Sequence, residues 1–189
     1  MSRIFYTADL HFGHRLVSGL RRFADPADHD AAIVDTWKST VKPNDTVIVA
    51  GDLAISRHHD VYALIGSLPG TKILVSGNHD PSHPMHRGAI RATKDALTVF
   101  DHVAPFLVRR TPVGKVAVSH FPYTGDHGPD RYSEYRLRDA GIPLVHGHTH
   151  GPETVTRTDA GTIQVHVGVD AWGLRFVPEE AVVDLIRST

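Results

Sequence analysis

Short aliphatic and β-branched runs divide the chain, and each of them ends directly in polar residues. The runs cover residues 4–6, 47–49, 73–75, 116–118 and 144–145. Runs of this length and composition predict buried strands rather than helices. Sites in open α/β sheets form beyond the carboxyl ends of strands, so we expect the polar residues after these runs to share one site.

Apolar residues between the first three runs recur at helical spacing. Ile33, Val34 and Trp37 belong to a pattern that predicts a helix over residues 29–41, and a similar pattern predicts a second helix near 58–67. The same reading predicts strands at residues 3–8, 45–50 and 71–76 and an irregular loop at 9–28. This βαβαβ order predicts parallel strands that are joined by right-handed crossovers.

The pattern changes after residue 95, where short alternating runs are separated by turns that contain Gly, Pro or Asp. These runs cover residues 103–108, 115–119, 154–157 and 162–167. They predict a second sheet that is rich in antiparallel pairs. Residues 180–187 fit either a final helix or an edge strand. No linker or repeat interrupts the sequence, so we expect one domain over residues 1–189, with two sheets that share a core.

Composition narrows the function classes. The net charge of -1 gives no general attraction to nucleic acid or to anionic membranes. The absence of cysteine excludes disulfides, thiolate metal sites and cysteine nucleophiles. We find no signal peptide and no apolar run long enough to span a bilayer, so a cytoplasmic location without membrane partners is expected.

The 15 histidines are the unusual feature of the composition, and several of them follow the predicted strands. The candidate metal ligands are Asp9, His11, Asp52, Asn78, His120, His148 and His150. Imidazole and carboxylate ligands without thiolate suit Mn, Fe, Zn, Co or Ni better than Ca or Mg. Other histidines, such as His29, His58 and His102, have polar neighbours and are expected on the surface.

We group the candidate ligands around two divalent transition-metal ions, with manganese favoured. One ion would be bound by Asp9, His11, Asp52 and His150, and the other by Asp52, Asn78, His120 and His148. Asp9 and His11 are two positions apart, so in a strand they would point to the same side. No motif is decisive alone: an Asp-x-His sequence is usually a surface turn, Asn-His can simply end a strand, and Gly-His-Thr-His could be a zinc site or a polar loop. Their joint occurrence at strand ends supports the two-metal interpretation.

Two ions roughly 4 Å apart can activate a bridging water and hold the oxygens of an in-line displacement at phosphorus. His79 lies next to a candidate ligand but is not needed to complete either set. It could protonate the leaving alkoxide as a general acid, or it could bind a non-bridging phosphate oxygen.

These residues resemble the ordered motifs of the calcineurin-like metallophosphoesterase superfamily: D-x-H, G-D, G-N-H-[DE], H and G-H-x-H. The matching segments are residues 9–11, 51–52, 77–80, 120 and 147–150, and residues 12–14, 37 and 167–172 are similar to small bacterial and phage members. The resemblance implies an α/β fold, a four-layer α/β/β/α sandwich of two mixed sheets flanked by helices. It also implies a dinuclear site and hydrolysis of phosphomonoesters or phosphodiesters.

The resemblance favours a phosphodiesterase that acts on small nucleotides, such as cyclic nucleotides, with a metal-bridging hydroxide as nucleophile and His79 as general acid. Protein phosphatases carry G-D-x-x-D-R-G, whereas Asp52 is followed here by Leu-Ala-Ile-Ser-Arg. A broad phosphomonoesterase or a nuclease is the alternative, with nucleic acid only as a substrate. A non-catalytic metal-binding interaction scaffold is the alternative of another class. No oligomeric state follows from the sequence.

Weaker candidates for substrate contacts flank the motifs. His14 could bind phosphate or support the metal site, or it could simply pack in its loop. Phe12 and Tyr123 could line the mouth and stack on a base, although aromatic residues in such positions more often pack in a core. Arg21 could contact a second phosphate or lie on a solvated face. Asp170 is expected to stabilise a late loop near the site.

Overall fold

The computed structural model describes residues 2–126 and 128–188. Its helices are α1 (Arg15–Leu20), α2 (Pro26–Thr40), α3 (His58–Gly66), α4 (Ala89–Ala96) and α5 (Glu179–Ser188). Its strands are β1 (Ile4–Thr7), β2 (Thr46–Val49), β3 (Thr71–Val75), β4 (His102–Ala104), β5 (Phe106–Thr111), β6 (Gly114–Ser119), β7 (Leu144–His146), β8 (Val155–Arg157), β9 (Ile163–His166) and β10 (Val177–Pro178).

The first sheet has the strand order β10-β1-β2-β3-β4. Strands β1 to β4 are parallel, and β10 pairs antiparallel with β1. The predicted βαβαβ order is therefore confirmed, and the strand ends agree within one or two residues. Because β1, β2 and β3 are parallel, the loops that follow them leave the sheet at one edge.

The second sheet has the order β5-β6-β7-β9-β8 and is mixed. Its outer pairs, β5 with β6 and β8 with β9, are antiparallel, while β6, β7 and β9 run parallel. The predicted run over residues 103–108 is in fact two strands in different sheets. Pro105 lies between them and has no N–H for a ladder, which accounts for the break.

The two sheets pack face to face on a shared apolar core. Ile48 and Val75 of the first sheet meet Val118 and Val145 of the second, and Val182 of α5 joins the same cluster. Helices α2, α3 and α4 cover the outer face of the first sheet. The chain thus has the predicted α/β architecture of two mixed sheets flanked by helices.

The outer face of the second sheet is covered largely by non-helical chain. Tyr123 and Leu137 of this covering segment pack on Ala117 and Leu144. A single 3-10 turn, Ser133–Tyr135, is its helical part. Among the described residues, no helix combines the length and apolarity that crossing a membrane requires.

Two helices were not predicted. Helix α1 has six residues, no side-chain cap and few buried positions, and helix α4 buries only Ala96. Both helices are short and bury no large apolar side chain except Val17, so neither has the long apolar stripe from which a helix is recognised. The ambiguous C-terminal segment is a helix, with Glu179 and Glu180 in its first turn and Arg187 in its last, as the helix dipole favours.

Candidate metal centre

The candidate ligands lie where the carboxyl ends of the two sheets meet. A parallel bridge from Ala8 to Gly168 joins the loop after β1 to the loop after β9. The N–H of Gly147 donates to the carbonyl of His120 at 3.0 Å, which aligns the loops after β6 and β7. Backbone contacts between the loops therefore bring together side chains that are far apart in sequence.

Several candidate ligands have left-handed backbone conformations, which non-glycine residues seldom adopt. The φ angles are 59° for Asp9, 49° for His11, 58° for Asp52, 73° for His148 and 50° for His150. Such conformations cluster at functional sites. They also correct the sequence argument for Asp9 and His11, because both residues lie beyond the end of β1 and are not placed by strand alternation.

The first group of ligand atoms comes from Asp9, His11 and His150, and these atoms all lie within 4.8 Å of one another. His11 Nε2 is 3.1 Å from His150 Nε2, and His150 Nε2 is 3.8 Å from Asp9 Oδ1. Two imidazole nitrogens and a carboxylate that face one point form a donor set suited to a transition-metal cation.

The second group contains Asp9, Asp52 and His120, whose ligand atoms also lie within 4.8 Å of one another. Asn78 Oδ1 is 3.1 Å from His120 Nε2 and 3.1 Å from His148 Nδ1. All seven candidate ligands therefore converge. Distance places Asp9 in both groups, whereas the sequence grouping assigned it to one ion.

Asp52 lies between the two groups. Its Oδ2 atom is 3.8 Å from His11 Nε2 and 3.4 Å from His120 Nε2. Its Oδ1 atom accepts the backbone N–H of His79 at 2.9 Å. A carboxylate in this position could be shared by two cations.

Hydrogen bonds behind three of the histidines fix which nitrogen faces the centre. His120 Nδ1 donates to the carbonyl of Ala50 at 2.8 Å, and His150 Nδ1 donates to Asp170 Oδ2 at 2.9 Å. His148 Nε2 donates to Asp126 Oδ2 at 3.0 Å. Because these acceptors cannot donate, the opposite nitrogens of the neutral rings present lone pairs to the centre. Metal-binding histidines are typically held in this way.

Electrostatics keeps the carboxylates ionised. Burial opposes ionisation of Asp52, but the neighbouring His120 more than offsets it and lowers the pKa of Asp52 to about 2. Burial would lower the pKa of His120, yet Asp52 raises it to about 9. Burial lowers the pKa of His11 to about 3 and that of His148 to about 4. In the metal-free protein Asp52 and His120 thus form an ion pair, and a bound cation would replace the proton of His120.

Asp80, the last residue of the Gly-Asn-His-Asp motif, holds two motif loops together. Its carboxylate accepts the N–H groups of Gly77 at 2.7 Å, Asp52 at 2.9 Å and Leu53 at 3.1 Å. Burial and then the charge of Asp52 raise the pKa of Asp80 to about 7, although the three N–H donors act in the opposite direction. This role lay within the recognised motif but was not predicted.

The Arg21 side chain is 6% exposed and lies behind the centre, so it is not part of a solvated face. Its guanidinium donates to both carboxylate oxygens of Asp170, at 2.8 and 2.7 Å, and to the carbonyl of Asp9 at 2.7 Å. It also meets His29 Nε2 at 2.9 Å, and His29 is fully buried rather than on the surface. Arg21 thereby orients Asp170, which in turn orients His150.

The two aromatic residues predicted as substrate contacts, Phe12 and Tyr123, are both buried. Phe12 is 4% exposed and packs in the core on the outer face of the first sheet. Tyr123 is 7% exposed, and its hydroxyl donates to the carbonyl of Ile142 at 3.0 Å. Both rings therefore have packing roles in this structure, and their contact with a substrate stays a prediction. Tyr132, which was not predicted, is the half-buried ring near the centre, 5.8 Å from the His148 ring.

His79 and His14 lie beside the convergent ligands. The His79 side chain is 39% exposed, and its Nε2 atom is 3.9 Å from Asp52 Oδ2. His79 thus faces both the centre and open space. The His14 ring lies 5.7 Å from the His11 ring, and its Nδ1 atom is buried without a hydrogen-bond partner among the described residues.

Two glycines leave room for the ligands. A Cβ atom on Gly51, where φ is 91°, would lie 2.5 Å from His120 Nδ1. A Cβ atom on Gly77 would overlap the carboxylate of Asp52. The Gly-Asp and Gly-Asn motifs therefore need glycine for close packing around Asp52 and His120.

Comparisons with solved structures support the fold. A protein of unknown function, AQ665 from Aquifex aeolicus, aligns with a TM-score of 0.75 at 22% identity, over 98% of this chain and 100% of that one. An archaeal phosphodiesterase aligns with a TM-score of 0.47 at 17% identity, over 88% of this chain and 83% of that one. A phosphopantetheinyl hydrolase from Mycobacterium tuberculosis aligns at 0.48, with 15% identity over 89% of each chain. The fold is therefore shared with the Aquifex aeolicus protein over nearly the whole of both chains.

Sequence comparison gives closer relatives. No family model matches the chain. The Gene 66 protein of Mycobacterium phage L5 is 41% identical over 199 residues, which cover 99% of this chain and 95% of the relative. The Gene 66 protein of Mycobacterium phage D29 is 37% identical over 196 residues, with 99% and 97% covered. The chain therefore belongs to the family of the mycobacteriophage Gene 66 proteins.

Proposed function

We propose that residues 1–189 form one domain of the calcineurin-like metallophosphoesterase superfamily and that it is a metal-dependent phosphodiesterase. The observation that carries this proposal is the convergence of all seven motif side chains on two adjoining donor groups with Asp52 between them. The donor set fits two divalent transition-metal ions, with manganese favoured. The ions would be held by Asp9, His11, Asp52 and His150 on one side and by Asp52, Asn78, His120 and His148 on the other.

When bound, such ions would supply a hydroxide from water at neutral pH and neutralise charge on the phosphate oxygens. The protein's part is to fix the ligands in advance. Ala50, Asp126 and Asp170 hold the three histidines from behind, and Asp80 fixes the Gly-Asp and Gly-Asn loops. The substrate phosphate would therefore enter a site whose polar groups need little rearrangement.

His79 is proposed as the general acid. Hydrolysis of a phosphodiester breaks one P–O bond, adds a hydroxyl group to phosphorus and leaves a proton to be supplied to the departing oxygen. The His79 ring reaches the centre at Asp52 and is also open to solvent. A partly exposed imidazole at the edge of the ligand groups can meet a leaving group without giving up a metal ligand.

The preference for diesters over phosphoproteins rests on the residues after Asp52. Protein phosphatases have a carboxylate and an arginine three and four residues after the motif aspartate, whereas Ile55 and Ser56 occupy those positions here. Small nucleotides, including cyclic nucleotides, are the proposed substrates. The competing functions are a broad phosphomonoesterase, a nuclease and a metal-binding scaffold without turnover.

The test is a hydrolysis screen with metal-stripped and manganese-reconstituted protein. We expect bis(4-nitrophenyl) phosphate and cyclic nucleotides to be cleaved with higher kcat/KM than 4-nitrophenyl phosphate, and phosphoserine peptides to be poor substrates. Stripped protein should be inactive, and His102→Ala, which changes an exposed histidine in β4, should behave as wild type.

Each competing function has its own outcome in this screen. A reversed ranking of mono- and diesters would favour the phosphomonoesterase, and strong cleavage of long DNA would favour the nuclease. Bound metal without cleavage of any substrate would favour the scaffold. Full activity in stripped protein would refute the metal-dependent mechanism.

A further inference from the structure

A groove of about 370 Å³ opens beside His79. The lining residues that matter here are Ile55, His58, His79, His86, Arg91 and Asp95. His79 forms the end of the groove that adjoins the metal centre, because its Nε2 atom is 3.9 Å from Asp52 Oδ2. A leaving group that takes a proton from His79 would extend into this groove. The role of the groove therefore rests on the proposed function.

Two histidines of the groove already have acceptors in the backbone. His58 Nε2 donates to the carbonyls of Ala54 at 3.0 Å and His79 at 3.1 Å. His86 Nε2 donates to the carbonyl of Asn78 at 2.9 Å. These rings hold the motif loop in place, and their Nε2 hydrogens are not available to a substrate.

Arg91 differs from these histidines. Its side chain is exposed, and it forms neither an ion pair nor a side-chain hydrogen bond with any other residue in the described ranges 2–126 and 128–188. Ile55, which is 42% exposed, lines the same groove with an apolar surface. The groove thus offers an unpaired guanidinium and an apolar contact beside the proposed proton donor.

Asp95 is the opposite charge in this groove, one helical turn beyond Arg91. The two side chains do not form an ion pair in the part of the chain that the structure describes. Asp95 is half-buried. The pKa of the buried Tyr62 is raised mainly by burial and next by the charge of Asp80, and the charge of Asp95 adds to the rise. Asp95 is thus the less accessible of the two charges, and Arg91 is the one that is exposed in the groove.

We propose that Arg91 binds a negative charge on the leaving-group side of the substrate. The preferred substrates are then phosphodiesters whose leaving alcohol carries a phosphate or a carboxylate. A guanidinium matches either group through two parallel N–H···O bonds. A hydrogen bond to a charged partner of this kind changes binding by about tenfold or more, and this sets the expected size of the effect.

The test uses three thymidine 5′-phosphodiesters whose leaving alcohols have the same length and carry an anionic, a neutral or a cationic end: 3-hydroxypropanoate, 3-hydroxypropanamide and 3-aminopropanol. Release of thymidine monophosphate is measured with manganese-loaded protein. We expect the carboxylate ester to have the highest kcat/KM, and Arg91→Gln to lower the ratio of carboxylate to amide ester by about tenfold. Lys94→Gln is the matched control, because Lys94 is an exposed cation of α4 outside the groove, and it should leave the ratio unchanged.

The outcomes separate this inference from the proposed function. An unchanged ratio in Arg91→Gln, or an equal change in Lys94→Gln, would overturn the role of Arg91. A preference for the amine ester that Asp95→Asn abolishes would overturn it in favour of a cationic leaving group. If the wild type cleaves none of the esters, the phosphodiesterase proposal fails. Calorimetric binding of the carboxylate and amide esters to wild type and Arg91→Gln then decides the role of Arg91.

Discussion

Asp126 provides a direct test of how the protein prepares His148 for metal. Its side chain is fully buried, and Oδ2 accepts from His148 Nε2 at 3.0 Å. The bond leaves His148 Nδ1 facing Asn78 Oδ1 at 3.1 Å. Removing the partner behind a metal-binding histidine typically weakens metal binding about 10–100-fold. We therefore expect Asp126→Ala to weaken the binding of one ion by that factor, which corresponds to roughly 1.4–2.8 kcal/mol of binding free energy.

The same carboxylate also binds Arg131 at 2.8 Å and Arg136 at 3.0 Å, so loop packing has to be separated from the effect on His148. Asp126→Asn keeps an oxygen that can accept from His148 but removes the charge from both ion pairs, and it should retain most of the metal affinity. Arg136→Gln perturbs the loop without touching His148, and it should also bind metal nearly as wild type.

The assay is calorimetric titration of manganese into stripped protein, together with the visible spectrum of the cobalt form. The spectrum reports the ligand field and does not depend on turnover. Unchanged affinity and spectrum in Asp126→Ala would refute the role of Asp126. If Arg136→Gln weakened metal binding as much as Asp126→Ala did, the effect would come from loop packing and not from the orientation of His148.

Three further predictions follow from the site and the core. The pKa of His120 is about 9 in the folded protein and 6.5 ordinarily, so the unfolding free energy of the metal-free protein should fall as pH rises from 6.5 to 9. Urea titrations with and without metal should show that bound metal removes this loss. Gly77→Ala would place a Cβ atom 2.8 Å from the His120 ring and should abolish metal binding by calorimetry, whereas Gly88→Ala, with open space around it, should not. Phe12→Ala should cost about 3–5 kcal/mol of unfolding free energy in urea titration, because Phe12 is a core residue. A KM change with unchanged stability would restore Phe12 as a substrate contact.

The strands could be predicted because each is local in sequence, and the convergence of the motifs followed from placing each motif at the end of a strand. An aliphatic run and the polar residues after it are neighbours, and parallel order places their ends at one edge. Helix α4 was not predicted because it has only eight residues and its one buried residue is the small Ala96. Pro105 was visible in the sequence as a residue that interrupts a strand. That the chain passes from one sheet to the other at this point depends on the tertiary structure and could not be predicted from the local sequence.

The residues behind the ligands could not be predicted from the sequence. Asp126 lies 22 positions from His148, and Ala50 lies 70 positions from His120 and acts through its backbone carbonyl. No spacing rule connects such pairs. The polar neighbours of His58 suggested a surface residue, yet its ring holds the carbonyl of His79. Hydrogen-bond partners of this kind become visible only when the fold brings them together.

The left-handed backbone conformations of the candidate ligands affect how much folded protein a cell would contain. Each such conformation costs roughly 1 kcal/mol or more, so five of them cost an amount comparable with the net stability of a domain, about 5–15 kcal/mol. A bound ion stabilises only the folded chain, and it does so in proportion to the logarithm of its free concentration. If the centre binds metal as proposed, metal-starved cells would hold more unfolded chain for proteases to remove. The abundance of the protein would then follow the metal supply even where its synthesis is constant.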